Sequence, residues 1–170
     1  KVLLRESVGG QRVRVTRQRQ RPQMNGSRWS QQDGDEDDQI DGVVEWMVAQ
    51  QLADGGWNCR TIRSGSKHGS YHTSISVLEA LAELAASGRD DAILGDAAGR
   101  GREFFLAHRL YKSHRTGEVS HPAYTKFSFP PRWHYDVLRG LDYFQSVNAP
   151  WDDRLRDAVA LLDGRQRKDG

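Results

Sequence analysis

Trp46-Met47-Val48-Ala49-Gln50-Gln51-Leu52 returns 58 residues later as Phe104-Phe105-Leu106-Ala107-His108-Arg109-Leu110, with a glutamate ahead of each copy (Glu45, Glu103). A third copy opens near Leu161-Leu162, where Gln166-Arg167-Lys168-Asp169-Gly170 answers Gln51-Leu52-Ala53-Asp54-Gly55 at an offset of 115. Between these copies runs a second series, in which Val77-Leu78-Glu79-Ala80-Leu81 is matched by Val137-Leu138-Arg139-Gly140-Leu141 at an offset of 60. Two interleaved series at one period predict a repeating helical hairpin. Each hairpin buries its apolar face against its neighbours, so the chain is expected to be all-α.

Apolar spacing places the helices around these copies. The first is predicted from about Asp41 to Leu52, with Ile40, Val43, Val44, Met47 and Val48 on one stripe. Ala53-Asp54-Gly55-Gly56-Trp57 ends it: the glycines admit left-handed backbone, and Trp57 folds back as an anchor. Further helices are predicted over about Thr73–Ala86, Ala97–Lys112, Arg132–Ser146 (with Pro130-Pro131 at its start) and from Asp152 or Asp153 to near Gly164. Residues 58–70 and 113–131 read as irregular loops, and Ser87-Gly88-Arg89-Asp90 as a turn.

The 170 residues suffice for one domain with a sizeable core. No apolar run is long enough to span a bilayer, so no transmembrane segment is expected. A single cysteine, Cys59, excludes an intramolecular disulfide and fits a reducing, cytoplasmic setting. Charge is unevenly spread. Residues 1–32 carry a net of +7 and the remainder −5, and Asp33 to Asp41 holds six acids and no base. Residues 1–40 are therefore expected to be a disordered or non-native tail, basic and then acidic, ahead of a folded 41–170. Arginine supplies 20 of the 25 basic residues, which suits out-of-frame translation of GC-rich DNA. Peptide mapping that recovered this tail from the native protein would overturn that origin. Arg12, Arg14, Arg17, Arg19 and Arg21 can touch nucleic acid nonspecifically. With one tryptophan (Trp29) beside them, no specific nucleic-acid partner is expected.

Gln51-Leu52-Ala53-Asp54-Gly55-Gly56-Trp57 resembles the QW repeat of terpenoid cyclases. In that motif a late glutamine and a tryptophan after a glycine turn tie successive helices together. The α/α toroid it belongs to is also that of protein prenyltransferase β-subunits. The stretches Asp54–Cys59, Tyr71-His72-Thr73 and Phe129–Leu138 are similar to bacterial squalene-cyclase-like and prenyltransferase-like proteins. The resemblance covers about residues 41–170. It implies a partial α/α toroid with repeats of about 58 residues, a fragment completed by further hairpins from the same or a partner chain. The implied ligand is an apolar, isoprenoid-like molecule in a central cavity lined by the second helix series.

Three groups of residues carry candidate chemistry. Trp133-His134-Tyr135-Asp136 opens one helix of the second series, where free N–H groups and the helix dipole favour a carboxylate. Asp136 and His134 are candidate acid/base residues, with Trp133 and Tyr135 as aromatic walls that can stabilise a carbocation. The alternative is that Asp136 satisfies first-turn N–H groups while the aromatics pack. Tyr71-His72-Thr73-Ser74 opens the other such helix, with His72 as a third catalytic candidate and Tyr71 as a substrate contact. Cys59, His72 and His134 have zinc-ligand chemistry, although their spacing departs from that of the prenyltransferase zinc site. Asp35-Glu36-Asp37-Asp38 matches the DxDD pattern of class II terpene cyclases, which implies an alkene-protonating Asp37. Gln39 follows in place of threonine, and the next helix is of the Gln/Trp type, so a solvated acidic block is the expected reading. His114 and Arg115 lie in the long loop, where a diphosphate contact competes with a plain Arg115–Glu118 pair. The competing class for the whole chain is a non-enzymatic helical-repeat scaffold that binds a lipid or protein on its concave face.

Overall fold

The computed structural model describes residues 32–89, 92–130 and 132–165, with 32–38 as backbone alone. The expectations for the basic tail, the DxDD side chains, Asp90, Pro131 and the third-copy residues 166–170 lie outside what is described. Among the described residues six α-helices occur: α1 (Gln32–Ala49), α2 (Thr61–Ser64), α3 (Tyr71–Ala86), α4 (Ala92–Ala107), α5 (Val137–Ser146) and α6 (Arg156–Asp163). Two single 3₁₀ turns, Pro122–Thr125 and Asp153–Leu155, complete the regular structure. Apart from one isolated antiparallel bridge between Lys112 and Val119, no strand forms among the described residues. The all-α class is therefore the observed one. None of these helices is long and apolar enough to cross a membrane.

The helix ends keep the period of the sequence. α1 and α4 stop at Ala49 and Ala107, 58 apart, and α3 and α5 stop at Ala86 and Ser146, 60 apart. The second pair even shares its terminator. Gly88 (φ 100°) and Asn148 (φ 49°) are equivalent left-handed residues. Beyond them the Arg89 and Ala149 N–H groups donate back to the carbonyls of Leu84 and Phe144, the 6→1 bond of a Schellman ending.

Several helix limits differ from the sequence reading. α1 begins at Gln32, not Asp41, because a helix N-terminus accommodates an acidic run that repels itself elsewhere. α4 covers Ala92–Ala107 in place of 97–112; Arg109 (φ 44°) and Leu110 (φ 66°) turn left-handed and stop it early. α5 starts at Val137, not near Arg132, since Phe127 and Arg132 also have positive φ and Asp136 supplies the cap.

The core lies where α3, α4 and α5 meet. α3 buries Tyr71, Ser74, Ile75, Leu78 and Leu81, and α4 buries Leu94, Ala97, Gly101, Phe104 and Phe105, the spacing of one helical stripe. Each large apolar side chain so buried contributes about 1.5–3 kcal/mol. Gly101 lets the two helices close up: a β-carbon there would sit 2.7 Å from Leu78 and 2.8 Å from Trp57.

The Gln51–Trp57 turn locks this arrangement. Gln51 Nε2 donates to the carbonyls of Gly55 (2.8 Å) and Ala97 (2.9 Å), joining the end of α1 to the body of α4. Trp57 is 2% exposed, and its indole N–H donates to Met47 O at 2.8 Å. In the second copy, Phe105 O stands where Met47 O does, and it accepts from the Leu110 backbone N–H instead. A backbone donor thus takes there the acceptor that the indole takes in the first copy. Gly55 (φ 84°) must be glycine, because a β-carbon would run into Arg100 O.

Candidate functional site

The sequence-predicted residues gather at the N-terminal ends of α3 and α5, and most of their polar atoms are engaged by the backbone. Asp136 is the cap of α5. Its Oδ1 accepts from Arg139 N–H at 3.2 Å, its Oδ2 accepts from Ser128 N–H at 2.6 Å, and the residue is 3% exposed. One oxygen closes the helix and the other ties down the loop that precedes it.

His72, in the first turn of α3, meets the residue before Asp136. Its Nδ1 accepts the Tyr135 N–H at 2.7 Å, which makes it a neutral imidazole with its proton on Nε2. Burial lowers its pKa, and the nearby His134, Arg139 and His121 lower it further. Tyr135 is fully buried, and its hydroxyl donates to Leu110 O at 2.5 Å. Tyr71 is also buried; its hydroxyl donates to Lys112 O at 2.9 Å and lies 3.2 Å from Ser120 Oγ. Burial is the main cause that pushes the Tyr71 hydroxyl up to about 12. Both tyrosines, read from sequence as substrate contacts, stand inside the core with Phe104, Phe105 and Tyr124 around them.

Trp133 and His134 face outward. Trp133 is 64% exposed, its ring centroid 3.8 Å from that of His134 and 5.3 Å from that of His72. His72 and His134 lie 6.0 Å apart by the same measure. Cys59 is exposed, and its backbone N–H bonds Thr73 Oγ1. Among the described residues no three His, Cys, Asp or Glu side chains converge as metal ligands. His72 and His134 are neighbours, but no third ligand among the described residues joins them.

Two features went unnoticed in the sequence. Arg139 forms a fork on Glu79 (Nε–Oε1 2.9 Å, Nη2–Oε2 2.6 Å) and also reaches His134 O and Ser76 Oγ. Glu79 and Arg139 are the equivalent residues of the 60-residue offset, so the repeat itself held the signal. The second is a histidine pair. His108 shares a 2.7 Å hydrogen bond with Phe104 O through Nδ1 and a 3.0 Å bond with His114 Nδ1 through Nε2. A carbonyl only accepts, so His108 carries its proton on Nδ1 and His114 donates to it. Burial is the leading cause that lowers the His108 pKa. His114 is thus engaged with His108.

The exposed side of α3 and α5 is mostly polar. The exposed residues are Ser76, Ala80, Glu83 and Ala86 on α3, and Asp142, Gln145 and Ser146 on α5. At the far end from His72, a depression of about 420 Å³ opens between α3, α4 and α5, with Ala82, Ala86, Ala98, Arg102 and Tyr143 in its wall. No family model, curated protein or solved structure matches the chain.

Proposed function

We propose that the chain is part of a helical-hairpin repeat array of terpenoid-cyclase and prenyltransferase type, and that it binds a polypeptide without catalysing a reaction on it. The observation that carries this reading is the state of Asp136. Both carboxylate oxygens accept backbone N–H groups and the residue is 3% exposed, so the leading acid/base candidate is committed to the backbone and shielded from a substrate. The polar face of α3 and α5 supports a polypeptide over a lipid. Its exposed charges, Glu83 and Asp142, are both acidic, which favours a partner with basic side chains.

A second reading, an enzyme acting on an apolar isoprenoid, is favoured by Trp133. That exposed ring beside a neutral, proton-bearing His72 offers an apolar contact next to a hydrogen-bond donor. Amide chemical shifts distinguish the two. Titration with a lysine-rich peptide is expected to move Ser76, Glu83, Asp142 and Gln145, and added salt is expected to reverse it. Titration with farnesyl diphosphate is expected to give no saturable change. Saturable shifts at Trp133 and His134 with farnesyl diphosphate, lost in Trp133→Ala, would replace the first reading with the second.

A further inference from the structure

The first helix carries an apolar face that nothing described covers. Ile40, Val43 and Trp46 are 40%, 62% and 57% exposed and lie along one side of α1. The repeat gives their counterparts: at the 58-residue offset they become Ala98, Gly101 and Phe104 of α4. Those counterparts are not exposed. Gly101 and Phe104 are buried, and Ala98 is packed against the core. The neighbour across Gly101 is Leu78 of α3, and Phe104 meets the Tyr71 ring edge-on at 5.6 Å. In the second hairpin an amphipathic helix therefore covers the face that is bare in the first.

Resting on the repeat-array reading, we infer that Ile40, Val43 and Trp46 form an interface for a further α3-like amphipathic helix, carried by a separate partner polypeptide and bearing a small side chain where α3 has Leu78. The last condition comes from volume. Leu78 fits α4 because Gly101 offers no side chain there. Val43 fills the equivalent place on α1, so the covering helix must give up the bulk that Val43 adds. Of the stripe expected from the sequence, Ile40 and Val43 are left exposed, while the adjoining edge of α1 is already committed to its own domain. Val44, Met47 and Val48 pack on the core, Met47 O holds the Trp57 indole, and Asp41 pairs with Arg89.

The probe is a fluorescein-labelled peptide with the sequence Ser70–Gly88 and the change Leu78→Ala, titrated with the full chain and read by anisotropy. Saturable binding is expected, at least about tenfold tighter than for the same peptide with Leu78 retained. Val43→Asp is expected to weaken it by at least about tenfold, the effect of setting a charge into an apolar contact. Val43 points away from the core, so that variant should fold; Ile62→Asp, at a position 74% exposed on α2, serves as the control and should bind as the unaltered chain does. Absence of saturable binding would overturn the proposal, as would a Val43→Asp chain that binds normally. So would a chain that sediments as a dimer and becomes monomeric with Val43→Asp, because a second copy would then own the face.

Discussion

At Tyr135 the two ends of one residue are satisfied in opposite directions: the backbone N–H by His72 and the hydroxyl by Leu110 O. A buried donor left without its acceptor costs about 1–3 kcal/mol. His72→Phe is therefore expected to lower unfolding free energy by that amount, with urea denaturation as the check. The same geometry fixes two tautomers. Long-range ¹H–¹⁵N spectra should find His72 protonated on Nε2 and His108 on Nδ1. The mirror assignment at His72 would mean that the Tyr135 contact does not exist. At this scale the sequence was half legible. A carboxylate opening α5 could be foreseen as a cap, since Asp is a favoured residue there. That its second oxygen would hold Ser128 could not, because the intervening loop obeys no period. The His108–His114 pair was hidden for the same reason, one partner lying in a loop.

At the scale of elements, two glycines in equivalent helices should respond in opposite directions. Gly101 of α4 is buried against Leu78 and Trp57, and an added methyl has no room. Gly101→Ala is expected to destabilise by about 1–3 kcal/mol through overpacking, even though alanine is the better helix former. A β-carbon added at Gly42 of α1 would meet nothing within 4 Å. Gly42→Ala should stabilise by roughly 0.5–1 kcal/mol from helix propensity alone. Paired thermal melts read both signs, and two shifts of the same sign would contradict the packing described. The helix series and its period were legible because apolar stripes repeat. The limits of α4 and α5 were not, since Arg109, Leu110, Phe127 and Arg132 take left-handed backbone without being glycine. Such residues are set by tertiary packing, and nothing in their identity announces it.

For the whole molecule, two histidines link folding to pH. His72 and His108 both have pKa values lowered in the fold, chiefly by burial. The folded state then binds fewer protons than the unfolded chain. Their contribution to stability is complete above the unfolded value of about 6.5 and is lost as pH falls from there toward the folded values. Asp152 and Asp157, lowered mainly by hydrogen bonds from Arg154 and from Lys112, act in a separate window that opens only below about pH 4. The urea midpoint is expected to drop between pH 7.5 and 5.5, and His72→Gln with His108→Gln should remove most of that drop. An equally steep double variant would place the linkage elsewhere.

The most direct measurement is the urea unfolding free energy of Asp136→Asn beside that of the unaltered chain. An asparagine presents an N–H where one carboxylate oxygen now accepts from Ser128 or Arg139. If Asp136 is a cap and a loop tie, the variant loses about 1–3 kcal/mol. If stability is unchanged, the carboxylate is not holding the fold, and its assignment to structure rather than chemistry is wrong.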